Sequence, residues 1–166
     1  MYAGRFYPKL RDPEPMLKAF RAVSDPDIRL HLYSTGCEDT VKKYAEQDGR
    51  ILPHDPVSHE KIGAIYGSAD VLVNVENSTP EFLPSKLFEY IAACRPIVSF
   101  GSGQSRELLK AHPAALHVSC AEDAEKDLQR FLESNRGVAI AADEIERLYE
   151  RHSRSSIRRI LVDALL

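Results

Sequence analysis

The segment EFLPSKLFE, Glu81–Glu89, follows the apolar run ADVLVNV at residues 69–75 and sets a carboxylate at each end of a helix start. Pro84 suits the first helical turn, because the N–H it lacks would be unpaired there. The free N–H groups of Ser85, Lys86 and Leu87 would then face outward, where the helix dipole favours an anion. Glu81 precedes that anion site, and Glu89 stands about one helical turn beyond it. A carboxylate accepts two neighbouring hydroxyls well, so the segment suits a ligand with hydroxyls on both sides of a phosphate, the shape of a nucleoside-diphosphate sugar. Spacing alone means nothing here, since Glu38/Glu46 and Glu125/Glu133 repeat it on helices whose faces read as solvated. Context separates Glu81/Glu89: a buried strand before them and a proline at the helix start.

The elements that would position these groups alternate along the chain. Tyr2–Phe6, Arg29–Ser34, Arg50–Leu52, Val71–Val75, Pro96–Phe100 and Ala115–Ser119 read as strands. Helical periodicity covers Glu14–Val23, Thr40–Asp48, a segment from Ser58 to about Ala69, Ser85–Ala93, Gln104–Ala111 and Glu122–Glu133, and one or two helices fill 142–166. VLVNV and PIVSF are apolar at most positions, as strands buried on both faces are. Strand–helix alternation of this kind predicts an α/β, Rossmann-like three-layer domain with a parallel sheet of about six strands. The core is expected over about 1–140, with C-terminal helices over 141–166. Ligands in such folds sit beyond the carboxyl ends of the strands. That directs attention to Arg5 after the first strand, to Ser34, Thr35 and Gly36 after the second, to 76–81 after the fourth and to 101–103 after the fifth.

Composition sets limits. A chain of 166 residues suffices for one domain with a real core. A net charge of −3 leaves no basic surplus for nucleic acid. Cys37, Cys94 and Cys120 follow no ligand spacing, so a reduced, cytoplasmic protein without zinc or disulfides is expected. His54 and His59 have no third partner for a metal. Opening within a residue or two of a core strand, MYAGRF reads as part of something larger.

The run ADVLVNVENSTPEFLPSKLFEYIAACRPIVSFGSGQSRELL resembles the signature region of retaining GT-B nucleotide-sugar glycosyltransferases of family 4 (group 1). The family carries a strand like ADVLV, then E-x7-E, a segment like EAMACGRPVVA, and Gly-Gly-x-x-Glu. GRFYPKLR resembles its glycine-arginine turn, and RILPHDPVSHEKIGAIYGSADV, with His54, the segment that holds the nucleotide base. The resemblance spans about residues 2–110. It implies the C-terminal, donor-binding half of a two-domain enzyme, whose absent N-terminal domain holds most of the acceptor. It implies Glu81 facing the donor sugar beside the reacting carbon, Glu89 on the ribose hydroxyls, and Arg5 on the diphosphate with Lys9 or Arg11 as second cation. Gly103 and Glu107 fall on the Gly-Gly-x-x-Glu turn, with Gln104 in place of its second glycine. No cofactor or metal beyond the nucleotide-sugar donor is implied. Phe82 and Leu83 replace a common Gly-Phe, and Cys94 stands where a glycine normally ends the helix; a left-handed backbone there would cost about 1 kcal/mol.

Other readings stay open. GSGQSR at 101–106, with Glu122 and Asp123 about twenty residues on, imitates a dinucleotide fingerprint of an NAD(P)-dependent oxidoreductase, although Arg106 fills the third glycine's place. A nucleotide-sugar epimerase or a non-catalytic binding module would share the fold. In the tail, Arg147, Arg151, Arg154 and Arg158 recur opposite Ile157, Ile160, Leu161 and Leu165. That pattern fits a solvated outer face, or contact with an anionic membrane surface by an enzyme acting on lipid-linked sugars. The family reading implies a bacterial hexosyltransferase of cell-surface polysaccharide or glycolipid assembly that turns over nothing without its other domain.

Overall fold

The computed structural model of the chain describes residues 1–79, 85–101, 103, 105–119 and 124–152. Six strands are present: β1 (Tyr2–Arg5), β2 (Leu30–Thr35), β3 (Ile51–His54), β4 (Leu72–Val75), β5 (Ile97–Phe100) and β6 (Ala115–Val118). The helices are α1 (Glu14–Ala22), α2 (Glu38–Gln47), α3 (His59–Ser68), α4 (Ser85–Ala92), α5 (Arg106–Leu109), α6 (Ala124–Ser134) and α7 (Ala142–His152). This is the alternating α/β, Rossmann-like architecture expected from the sequence.

All strand pairs are parallel, in the orders β1-β2-β3 and β4-β5-β6. Met1 joins the two halves. Its nitrogen donates to the Val71 carbonyl at 2.6 Å, and the Val73 N–H donates to its carbonyl at 2.8 Å. Two such bonds flanking one residue are the parallel ladder pattern, and they give the order 3-2-1-4-5-6. Ligands in this arrangement collect where the strand order reverses, between β1 and β4.

Alternation along β4 shows the layering. Val73 and Val75 enter one core with Leu17, Phe20, Leu32 and Leu128, while Leu72 enters the other with Leu87, Tyr90, Ile91 and Ile97. Every residue of β4 and β5 is buried, the consequence of helices on both faces. Ile145 anchors α7 in the second core. Arg147 of α7 is exposed and paired with Asp143 at 2.8 Å; the side chain of Arg151 and residues 153–166, which hold the rest of the basic and apolar tail pattern, lie outside the described residues. Among the described residues no helix is long and apolar enough to cross a membrane.

Local departures have physical causes. β3 continues through Pro53 to His54, two residues beyond the end the sequence suggests, because β3 is an edge strand and tolerates a residue that cannot donate. His54 is therefore a strand residue, not a loop residue. Helix α2 opens at Glu38, where the carboxylate reaches back to accept the Gly36 N–H at 2.6 Å. Ser58 occupies the N-cap of α3 but makes no side-chain capping bond. The expected helix over 104–111 is the single turn of α5.

Cys94 adopts φ 55°, the left-handed backbone that a glycine would take freely. The turn is fixed on both sides: the Cys94 N–H donates to Ile91 at 3.1 Å, and its carbonyl accepts the Ile140 N–H at 3.0 Å. Relieving this strain in Cys94→Gly is expected to stabilise the fold by about 1 kcal/mol and raise the melting temperature by about 2–4 °C. Calorimetry of the two proteins checks it, and a lower melting temperature in the variant would contradict it.

Candidate functional site

The reversal point between β1 and β4 opens into a cleft because the ladder that starts at Met1 does not continue. Ala3 would be the next residue to bond with β4, yet its N–H donates to the Tyr90 hydroxyl at 3.2 Å. Its carbonyl accepts from that hydroxyl at 3.1 Å and from Lys86 Nζ at 3.0 Å. Helix α4 thus supplies the polar partners that a strand would have supplied, and β1 is freed from β4 on the side where its carboxyl end reaches the rim.

A cavity of about 320 Å³ lies at this rim, with Gly4 and Arg5 from β1, Lys86 and Glu89 from α4, and Tyr33 and Val57 among the residues opposite. Lys86 and Glu89 are three apart and share a helix face. The Glu89 carboxylate accepts a hydrogen bond at 3.2 Å from Tyr66, which is buried edge-on against Tyr90 with ring centroids 5.1 Å apart. Burial first, and then the Glu89 charge, push the Tyr66 hydroxyl well above its ordinary range, so it stays a donor. The Lys86 ammonium is pulled below its ordinary value by burial, opposed by Glu89 and reinforced by Arg11. Glycine at position 4 matters, since a Cβ there would stand 3.3 Å from Lys86 Nζ and 3.0 Å from the Tyr2 hydroxyl.

The predicted site residues divide. Arg5, Lys86 and Glu89 meet around one cavity. Ser85 opens α4, while the Leu87 side chain is fully buried in the core, leaving only its backbone for the rim. Arg11 turns toward the segment after β4: its Nε donates to Asn77 Oδ1 at 3.0 Å, and Nη1 reaches the Arg5 carbonyl at 3.5 Å. The Tyr7 ring lies under both guanidiniums, its centroid 5.3 Å from that of Arg5 and 6.0 Å from that of Arg11. Lys9 holds a left-handed φ of 66° at the exposed tip of the loop, which is tied down by Ser78 through its Oγ to the Lys9 carbonyl and its N–H to the Leu10 carbonyl. Neither Lys9 nor Arg11 lines the cavity. Gly36 serves packing, because a Cβ there would lie 2.3 Å from the Phe6 carbonyl oxygen. His54 sits one layer behind the cavity, stacked on Tyr33 at 4.5 Å with its Nε2 2.9 Å from His31 Nδ1. Glu81 and Pro84 lie outside the described residues, as do Phe82, Leu83, Ser102, Gln104, Cys120, Glu122 and Asp123.

Two parts of the rim are assigned no specific chemistry in the sequence reading, although it directs attention to the 76–81 segment. One is the Tyr66–Tyr90 pair, whose helical spacing marks only core positions. The other is Glu76, which directly follows β4 and is 4% exposed. Its carboxylate accepts the N–H groups of Gly103 at 2.8 Å and Ser105 at 3.0 Å, and the hydroxyls of Ser99 and Ser105. The His117 ring lies 3.4 Å away. Gly101 permits this approach, since a Cβ there would come within 2.5 Å of the Glu76 side chain. An acid directly after a strand that is apolar but for Asn74, followed in the chain by a glycine- and serine-rich turn after β5, is the available signal. The amide of Gly103 is therefore already engaged, and the loop that imitates a dinucleotide fingerprint encloses a carboxylate, which would repel a pyrophosphate. Burial raises the Glu76 carboxyl, but the Ser105 and Gly103 bonds and His117 outweigh it and leave it below the ordinary value. A depressed folded-state value contributes stability above the unfolded carboxyl range that is lost as pH falls through the folded value. Glu76→Gln should therefore lose about 2–4 kcal/mol at neutral pH, with the gap holding down to about pH 4 and closing only as the pH falls below it, through the lowered folded value. Urea midpoints of both proteins across that range test it, and a constant gap would contradict it.

The family model described as glycosyl transferases group 1 matches residues 1–150. No curated protein matches the chain in sequence. Among solved structures it is similar to Anabaena HepE in complex with UDP-glucose, at 16% identity and TM-score 0.66, covering 99% of this chain and 48% of that one. It is also similar to a glycosyltransferase involved in avilamycin A biosynthesis, at 18% identity and TM-score 0.62, covering 90% of this chain and 45% of that one. The E. coli heptosyltransferase WaaC with ADP aligns at 16% identity and TM-score 0.51, covering 81% and 43%. The chain thus spans less than half the length of these structures, and its fold is that of one half of a GT-B glycosyltransferase. With its family model matched over nearly its whole length, the chain belongs to the group 1 glycosyl transferases.

Proposed function

We infer that the chain is the donor-binding half of a retaining GT-B glycosyltransferase, which takes the sugar of a nucleoside-diphosphate sugar to a polysaccharide or lipid-linked acceptor held largely by a second domain. The observation that carries this reading is the meeting of Arg5 and Glu89 in one cavity at the strand-order reversal. Two of the fold relatives were solved with UDP-glucose and with ADP, which supports the same ligand class.

The reaction breaks the bond between the sugar's anomeric carbon and a diphosphate oxygen. Negative charge gathers on the departing diphosphate while positive charge spreads over the sugar ring. The Arg5 guanidinium and the outward N–H groups at the start of α4 meet the first charge without having to reorganise; losing one such preorganised donor costs on the order of 3 kcal/mol in the barrier. Glu89 accepts the ribose hydroxyls, with one of its oxygens held in position by Tyr66. On this reading the role of supporting the cationic ring falls to Glu81, which lies outside the described residues. The half alone holds donor and transfers nothing, because the acceptor is bound elsewhere.

Thermal shift and calorimetric titration with UDP, GDP and ADP, their sugars, NAD and NADP test the reading. Nucleoside diphosphates should stabilise the chain and the dinucleotides should not. Glu89→Gln should weaken UDP binding about 10- to 100-fold, the value of hydrogen bonds to a charged acceptor. Stabilisation by NAD or NADP alone would overturn the reading.

A further inference from the structure

The cavity between β1 and α4 contains a cationic side chain that the sequence reading uses only for its backbone. Lys86 Nζ bonds the Ala3 carbonyl at 3.0 Å. An ammonium carries three hydrogens, so two remain for the cavity that Lys86 lines. Gly4 keeps that approach open, because a Cβ at position 4 would stand 3.3 Å from the nitrogen. The nitrogen is thus held at a fixed point between Arg5 on β1 and Glu89 one helical turn along α4.

Neither of the two residues that the family resemblance offers as second cation lines this cavity. The Arg11 guanidinium is bonded to Asn77 and directed at the Arg5 carbonyl. Lys9 stands on an exposed, left-handed turn whose backbone is fixed by Ser78. The geometry points to Lys86 as the second cation that, with Arg5, holds the diphosphate of the ligand, in place of Lys9 or Arg11. This assignment rests on the donor-binding reading above. A lysine serves there as a compact point charge on phosphate oxygens, and a diphosphate adds negative charge beside a half-buried ammonium that, among the described residues, faces the charge of Glu89 and the opposing charge of Arg11.

Calorimetric titration of the full chain with UDP and with uridine tests it. Lys86→Gln keeps a donor for the Ala3 carbonyl and removes the charge. It should weaken UDP binding about 10- to 100-fold and leave uridine within about 2-fold. Lys86→Arg should stay within about 5-fold for UDP, and Lys9→Gln and Arg11→Gln within about 3-fold. A readout without any variant is the Lys86 ε-carbon resonance, which should shift with UDP and not with uridine. The assignment is overturned if Lys86→Gln binds UDP as the unaltered chain does while Arg5→Ala does not, or if the resonance ignores UDP under saturating conditions. That result leaves the donor-binding reading standing. If the unaltered chain binds none of UDP, GDP and ADP, the donor-binding reading falls and the assignment falls with it.

Discussion

The structure turns on how the backbone of Ala3 is satisfied. A buried amide left without a partner costs about 1–3 kcal/mol, so two strands can part inside a sheet only if other groups take over the abandoned bonds. The Tyr90 hydroxyl and the Lys86 ammonium do this for the Ala3 N–H and carbonyl. The same substitution of side chains for a strand has two results. It locks α4 to the end of β1, and it opens the cleft into which Arg5 and Glu89 reach. Stability and site are therefore not separable here: the residues that close the core on one side form the floor of the cavity on the other.

Buried polar groups extend this logic across the rim. Tyr90 braces Tyr66, and Tyr66 holds Glu89, so the position of a carboxylate at the cavity is fixed through two rings back to β1. On the other side of β4, Glu76 gathers the turn after β5 around its carboxylate. A carboxylate buried to this degree is tolerated only because its oxygens are surrounded by donors. It fixes the turn and places a carboxylate inside it. The turn after β1 carries guanidiniums, and the turn after β5 encloses an acid.

Much of this was legible in the sequence. Runs such as VLVNV and PIVSF declare strands buried on both faces, and the alternation with helices dictates a parallel sheet whose ligand edge is known in advance. That logic was enough to put Arg5, Lys86 and Glu89 on one rim. It left Lys9 and Arg11 as alternatives, because where each stands depends on a left-handed lysine and a serine tether from across the fold. It stopped β3 before Pro53, since local propensity does not reveal which strands are edges. Cys94 is the opposite case: the sequence marked a position where a glycine normally ends the helix and named the cost of a left-handed backbone there, and the backbone is left-handed. Neither the parting of β1 from β4 nor the role of Glu76 has a periodic signature, because each depends on bonds between residues far apart in the chain.

The central claim is that an anionic ligand binds where β1 and β4 part. Backbone amide resonances followed during titration with UDP test it most directly. The account predicts that the largest shifts fall on Gly4, Arg5, Lys86 and Glu89. Shifts concentrated instead on Gly101, Gly103 and Ser105, with the β1 and α4 amides unmoved, would contradict it.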